Sequence, residues 1–197
     1  GALLGAASLL AAHAIESHKE RARHTNMTLT ATETQFLHIA KVAVSGGEIP
    51  AENVDWSAVF ALAGQQKLLP LVFEAARTTG AAAENAALFS SARQQVVAQV
   101  LSQTVRAEAF AALYRELRAA GLHPVVVKGQ LCSRLYPLRD HRISADDDLY
   151  IPDGEFLACH EALLENGLTT DTTENELATA DEVSYTKKGS PLYIELH

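Results

Sequence analysis

The chain has 197 residues, 48% of them hydrophobic and 20% charged, so it is long enough to bury a real core and is neither a mini-protein nor wholesale disordered. Sixteen Lys and Arg stand against twenty-four Asp and Glu, a formal charge of -8 that leaves no basic surplus to hold a polyphosphate backbone, so nucleic acid is not an expected partner. Cys132 and Cys159 show neither CxxC nor metal-finger spacing and are too few to staple a secreted fold; both read as reduced, which fits a cytoplasmic protein.

Residues 1–15 form an uncharged run rich in Ala and Leu, shorter than the roughly 18 to 20 residues that span a bilayer, and Glu16 to Arg23 end it with charges. No basic segment precedes it, as a signal peptide would require, so neither a membrane span nor secretion is expected. Met27 is the single methionine; residues 1–26 read as a non-native or mis-started leader, and starting at Met27 leaves the charge balance acidic.

Residues 27–121 read as a helical region. Phe36, Ile39, Ala40 and Ala43 recur at helical spacing until Gly46-Gly47. Asp55 is placed to cap a second helix bearing Val59, Phe60 and Leu62, which closes near Gln65-Gln66-Lys67, and Pro70 starts the next. Beyond Gly80 and Asn85 a long segment predicts one apolar face through Val96, Val97, Val100, Leu101, Val105, Ala109, Ala112, Leu113 and Leu117, with Gly121 as its stop.

The period changes at His123. Val125-Val126-Val127 has the composition of a buried strand and Lys128-Gly129 a turn; Gln130 to Tyr136 reads as a short helix closed by Pro137. A second strand is predicted over Asp146–Ile151, then a helix capped by Asp153 and ending near Asn166-Gly167. Thr169 to Asp181 reads as a polar loop, and Val183–Thr186 with Leu192–Leu196 as a hairpin around Lys187-Lys188-Gly189-Ser190. Strand, helix, strand, helix, hairpin after a helical region predicts an α+β fold with a small mixed sheet over residues 122–197.

Strand alternation sends Asp146, Asp148 and Tyr150 to one face and Asp147, Leu149 and Ile151 to the other. At about 4 Å and an effective dielectric near 20, two such carboxylates repel by roughly 4 kcal/mol, which calls for a cation, a shared proton or full solvation. Magnesium suits paired hard oxygens. In Tyr193-Ile194-Glu195-Leu196-His197 the same rule turns Glu195 away from Ile194 and Leu196, so on a neighbouring strand it joins the aspartates, and three carboxylates hold two metal ions. His123, His141 and His197 raise a zinc reading, but none has HExxH spacing or a Cys partner.

The run Val125-Val126-Val127-Lys128-Gly129, then Leu135-Tyr136-Pro137, Arg142 with Asp146 and Asp148 at RxxxDxD spacing, and Ile194-Glu195-Leu196-His197 closely resembles the uncharacterised nucleotidyltransferase family of the polymerase-beta-like superfamily. The resemblance covers about residues 122–197, with a weaker echo around Gln65 to Leu71. It implies transfer of a nucleoside monophosphate from an NTP to a small molecule or protein side chain, with Mg2+ and release of pyrophosphate. It further implies that Asp146 and Asp148 bridge the metals, that Glu195 is the third carboxylate and helps activate the acceptor hydroxyl, and that Lys128, Gly129 and Arg142 lie near the triphosphate.

Three departures accompany it. Asp147 stands where the family has an apolar residue, so that either the strand end is exposed or the register is shifted by one. The third carboxylate is Glu rather than Asp, and the chain stops at His197 within the motif strand, so the domain is expected to be C-terminally incomplete. Plainer readings are a surface salt bridge for Arg142, a snorkelling Lys128, a core role for Cys132, and a solvated strand end for Asp146 to Asp148. The rival functions are a non-catalytic binding module of the same fold and a metal-dependent phosphohydrolase.

Overall fold

The computed structural model describes residues 28–49, 53–152, 154–177 and 179–197. The described residues divide into two compact units, one holding those up to Val100 together with Leu135–Ile143, the other those of Leu101–Arg134 with Ser144–His197.

The first unit is helical. Helix α1 (Ala31–Ser45) opens on a capping box in which the Thr30 hydroxyl accepts from the Glu33 amide and the Glu33 carboxylate accepts from the Thr30 amide. Helix α2 (Trp56–Gln65) is capped by Asp55, whose Oδ1 accepts from the Ala58 amide at 3.0 Å, as its sequence position predicts. Helix α3 (Leu69–Ala76) has Pro70 in its first turn, and a single turn, α4 (Ala81–Glu84), leads into the 34-residue α5 (Ala86–Ala119). Trp56, Phe60, Phe73 and Phe89 meet in edge and tilted contacts with ring centroids 5.1 to 6.1 Å apart, and Val59, Ala63, Val72 and Ala76 fill the space around them.

Helix α5 does not carry the one apolar face expected of it. Val96 is buried among the residues of the first unit, and Phe110, Leu113 and Leu117 among those of the second. Val97, Leu101 and Val105, four residues apart, share a different stripe and are each more than half exposed. Reading every apolar residue as one stripe merged these two. The helix stops at Gly121 as expected: with φ +82° it closes the end while the Leu122 amide donates to the Leu117 carbonyl.

The second unit is built on a four-stranded mixed sheet of order β1-β2-β4-β3, with β1 Val125–Val126, β2 Asp147–Tyr150, β3 Val183–Thr186 and β4 Tyr193–Leu196. β1 runs antiparallel to β2, β2 parallel to β4, and β3 antiparallel to β4 as the expected hairpin. The parallel ladder continues past the end of β4, where the His197 amide donates to the Leu149 carbonyl and the Ile151 amide to the His197 carbonyl, both at 2.9 Å. Leu149, Ile151, Val183, Tyr185, Ile194 and Leu196 form one buried face, packed with Phe110, Leu113 and Leu117 of α5 and with Cys159 and Leu163 of α7 (Phe156–Glu165). This is an α+β fold, a helical N-terminal part followed by a small mixed sheet.

Several local expectations are corrected. Val125-Val126-Val127 is an edge strand, not a buried one: Val125 and Val127 are about half exposed, because alternation lets only Val126 reach the core from an edge. The helix after Lys128-Gly129, α6, spans only Gln130–Ser133. The stretch read as a loop contains one helical turn, α8 (Glu174–Leu177), where the Glu176 carboxylate accepts from the Thr173 amide. Asp153, the expected cap of α7, lies outside the described residues. Among the described residues no helix is long and apolar enough to cross a membrane.

Candidate active site

The face of the sheet opposite the core collects acidic side chains. Parallel pairing sets Asp148 of β2 directly opposite Glu195 of β4, and both point away from Leu149, Ile194 and Leu196, which are buried. His197 lies two residues beyond Glu195 and so shares its face. One ligand atom each from Asp148, Glu195 and His197 can be chosen so that all lie within 4.8 Å of one another. Asp146, half-buried just before β2, adds its charge to the same region, where its field reaches both Glu195 and Lys128.

Asp148 is the most enclosed member, its side chain 2% exposed. Its Oδ1 accepts from Lys128 Nζ at 2.8 Å and lies 3.6 Å from His197 Nε2, while its Oδ2 is buried without a hydrogen-bond partner. A buried carboxylate oxygen left in that state is costly unless a cation occupies it. Burial raises the Glu195 carboxyl above its ordinary pKa, and the charges of Glu182, Asp146 and Asp148 push it further, with Lys128 acting against them. The hydrogen bond to Asp148 raises the Lys128 ammonium in turn, aided by the charges of Asp148, Glu195 and Asp146. An orphaned buried oxygen, a second carboxylate held above its usual range and an imidazole within reach are a donor set suited to a divalent ion.

Asp147 is neither exposed nor shifted in register. Alternation puts it on the core side, fully buried, where its Oδ2 accepts from Arg106 Nε of α5 at 3.0 Å. The same guanidinium donates to the Pro191 carbonyl at 3.1 Å and to the Tyr193 carbonyl at 3.0 Å, so one buried cation holds the middle of β2 and the entry to β4. One turn earlier on α5, the Gln103 side chain donates to the Ser144 carbonyl and accepts from the Ser144 amide, and the Ser144 hydroxyl donates to the Asp146 carbonyl. The strands that present Asp148 and Glu195 are thus fastened from behind by α5.

Gly129 also packs against Asp147. It has φ +55°, and an added Cβ there would overlap the Asp147 carboxylate and lie 3.1 Å from its Cα, so only glycine fits. This close approach gives Gly129 a structural reason of its own beside the phosphate role expected of it. Lys128, from the same turn, reaches the carboxylates. Arg142 is half-buried in segment 135–143, which belongs to the first unit and not to that of the carboxylates.

Two participants escape the sequence reading. HExxH spacing and Cys partners give no reason to single out His197, yet the period-two rule that places Glu195 also places His197 beside it. Arg106 gave no usable signal, since its partner lies 41 residues away and a lone Arg in a helical stretch ordinarily reads as surface. Cys132 and Cys159 are both free, and burial pushes the Cys159 thiol up to about 12, as suits a residue packed in the core. A cleft of about 610 Å³ in the first unit is lined by Leu71, Glu74, Thr78, Leu138 and His141 among others; its Glu74 carboxylate is already paired with Arg77.

No curated protein and no solved structure matches the chain. The model of the uncharacterised nucleotidyltransferase family matches residues 52–197, and so takes in helical segments well before the strands that carry the motif. The chain therefore belongs to the uncharacterised nucleotidyltransferase family, and that membership supports a nucleotidyltransferase role.

Proposed function

We propose that this protein moves a nucleoside monophosphate from a Mg2+-bound NTP to a hydroxyl group on a small molecule or a protein side chain. The observation that carries this reading is the facing pair Asp148 and Glu195 on parallel β2 and β4, with one Asp148 oxygen buried and unpartnered. In the transfer the acceptor oxygen bonds to the α-phosphorus, the bond from that phosphorus to the β-phosphate bridging oxygen breaks, pyrophosphate leaves, and the hydroxyl proton passes to a base. Glu195 is the base in this scheme, its carboxylate lying opposite Asp148 on the parallel strand. Asp146, Asp148 and Glu195 would hold the ions, which supply charge neutralisation on the triphosphate and acidify the acceptor hydroxyl.

Lys128 has the reach to serve the phosphates: its side chain is 62% exposed, and its ammonium can leave Asp148 once a divalent ion takes its place there. Gly129 keeps the turn close to β2. Thermal melting with Mg-NTP tests binding, since ligand at about 100 times its dissociation constant adds roughly 2.7 kcal/mol, a shift of several degrees for a chain of this size. Pyrophosphate together with a labelled acceptor is the expected product, and Asp148→Asn abolishes it. Orthophosphate with NDP indicates the phosphohydrolase instead, and no thermal shift indicates a non-catalytic module.

A further inference from the structure

The carboxylates alone would make an oxygen-only site. The third donor is a nitrogen, and that changes which ion the site prefers. We infer that Asp148, Glu195 and His197 form a position for a first-row transition ion, of the Mn2+ or Co2+ class, and bind it in preference to Mg2+. This inference rests on the reading of the carboxylate face given above and deepens it.

The backbone of His197 is fixed by two ladder hydrogen bonds to β2, so its ring is carried on an ordered ladder. Its Nε2 stands 3.6 Å from Asp148 Oδ1, beyond hydrogen-bond length, so that contact does not consume the ring nitrogen. On the other side Nδ1 faces Glu182 Oε2 at 3.9 Å. At that distance the carboxylate is not hydrogen-bonded to the ring; its negative charge adds to a field that favours a cation near the imidazole. At bond lengths of about 2.1 Å, ligand atoms on one ion lie about 3 to 4.3 Å apart. Separations of up to 4.8 Å are therefore closed by side-chain shifts of about half an ångström.

The chemistry of the donors decides the ion. Mg2+ demands near-octahedral oxygen and binds through one or two carboxylates plus phosphate, whereas a nitrogen donor suits first-row transition ions better than Mg2+, Co2+ more strongly than Mn2+. Two carboxylates with one imidazole thus favour Mn2+ or Co2+ at the protein-held position, while Mg2+ remains suited to a position completed by the nucleotide phosphates.

The test measures metal binding without nucleotide at one fixed pH near neutrality. Free Mn2+ is followed by its electron paramagnetic resonance, Mg2+ by competition against Mn2+, and Co2+ by its visible absorption, for the wild-type chain, His197→Ala, His197→Gln and Asp148→Asn. The His197 side chain is about one-third exposed, so its variants should fold, which circular dichroism checks. The expected result is Mn2+ binding tighter than Mg2+, a loss of about 10- to 100-fold in Mn2+ affinity in both His197 variants with Mg2+ affinity changed less than about threefold, and an altered Co2+ spectrum. Mn2+ affinity that falls in Asp148→Asn but stays within about threefold in the His197 variants overturns the histidine assignment and leaves the carboxylate site intact. Mn2+ binding that survives Asp148→Asn overturns both.

Discussion

Arg106 and Asp147 form an ion pair at 3.0 Å from which solvent is excluded, and the arginine's remaining contacts run to the two carbonyls that lead into β4. Asp147 therefore has a task on the core side of β2 while its neighbour Asp148 faces the acidic side. An acidic triplet in sequence divides into a fastening residue and a candidate ligand.

Breaking this pair from one side leaves a buried charge uncompensated, which typically costs about 3 to 5 kcal/mol, whereas replacing both members with apolar residues of similar size is often neutral or stabilising. Arg106→Met and Asp147→Leu should each destabilise the chain by that amount in denaturant unfolding, and the double variant should recover most of the loss. Additive single losses would mean that the two side chains act separately. The double variant also gives up the bonds to the Pro191 and Tyr193 carbonyls, so its divalent-ion affinity should stay weakened after its stability has returned.

The α+β layout, the hairpin, the Asp55 cap and the approach of Glu195 to Asp148 follow from period-two alternation and local turn chemistry, both readable along the chain. Alternation assigned Asp147 to the core side, but the sequence does not reveal that a cation waits there, because Arg106 reaches it only through tertiary packing. The exposed stripe of Val97, Leu101 and Val105 departs from the expected single face for a related reason: on a 34-residue helix with residues in two cores, apolar content alone does not say which stripe is buried. His197 follows from the same rule as Glu195, but local zinc motifs carry no signal for it because Asp148 meets it from another strand.

Glu195 supplies a pH dependence. Its folded pKa is raised above its ordinary value of 4.5, so over that window the folded state holds more protons than the unfolded one, and stability falls as pH rises. The contribution is fully present below 4.5 and is lost once pH passes the raised value. Glu195→Gln removes the titration and the repulsion from Glu182, Asp146 and Asp148. In chelator-treated samples the variant should therefore melt above wild type at pH 7.5 and lose that advantage by pH 4. Adding a divalent ion should raise the wild-type melting temperature and not that of the variant. A variant less stable than wild type at pH 7.5 would mean that Glu195 stabilises the fold by contacts that outweigh the repulsion.

Lys128 separates two roles that share one side chain. Its ammonium sits on Asp148 Oδ1, so a divalent ion binding there has to displace it or use the unpartnered Oδ2 beside it. In Lys128→Ala the competing charge is gone, and affinity for a divalent ion alone should rise severalfold. If the displaced ammonium then moves to the triphosphate, the same variant should bind NTP less tightly, by on the order of tenfold, because a charged hydrogen bond to phosphate is lost. Titrating metal and metal-nucleotide separately shows whether the two affinities move in opposite directions. If both fall together, Lys128 holds the carboxylates in place; if neither moves, it is a solvated strand-end lysine whose contact with Asp148 carries no functional weight.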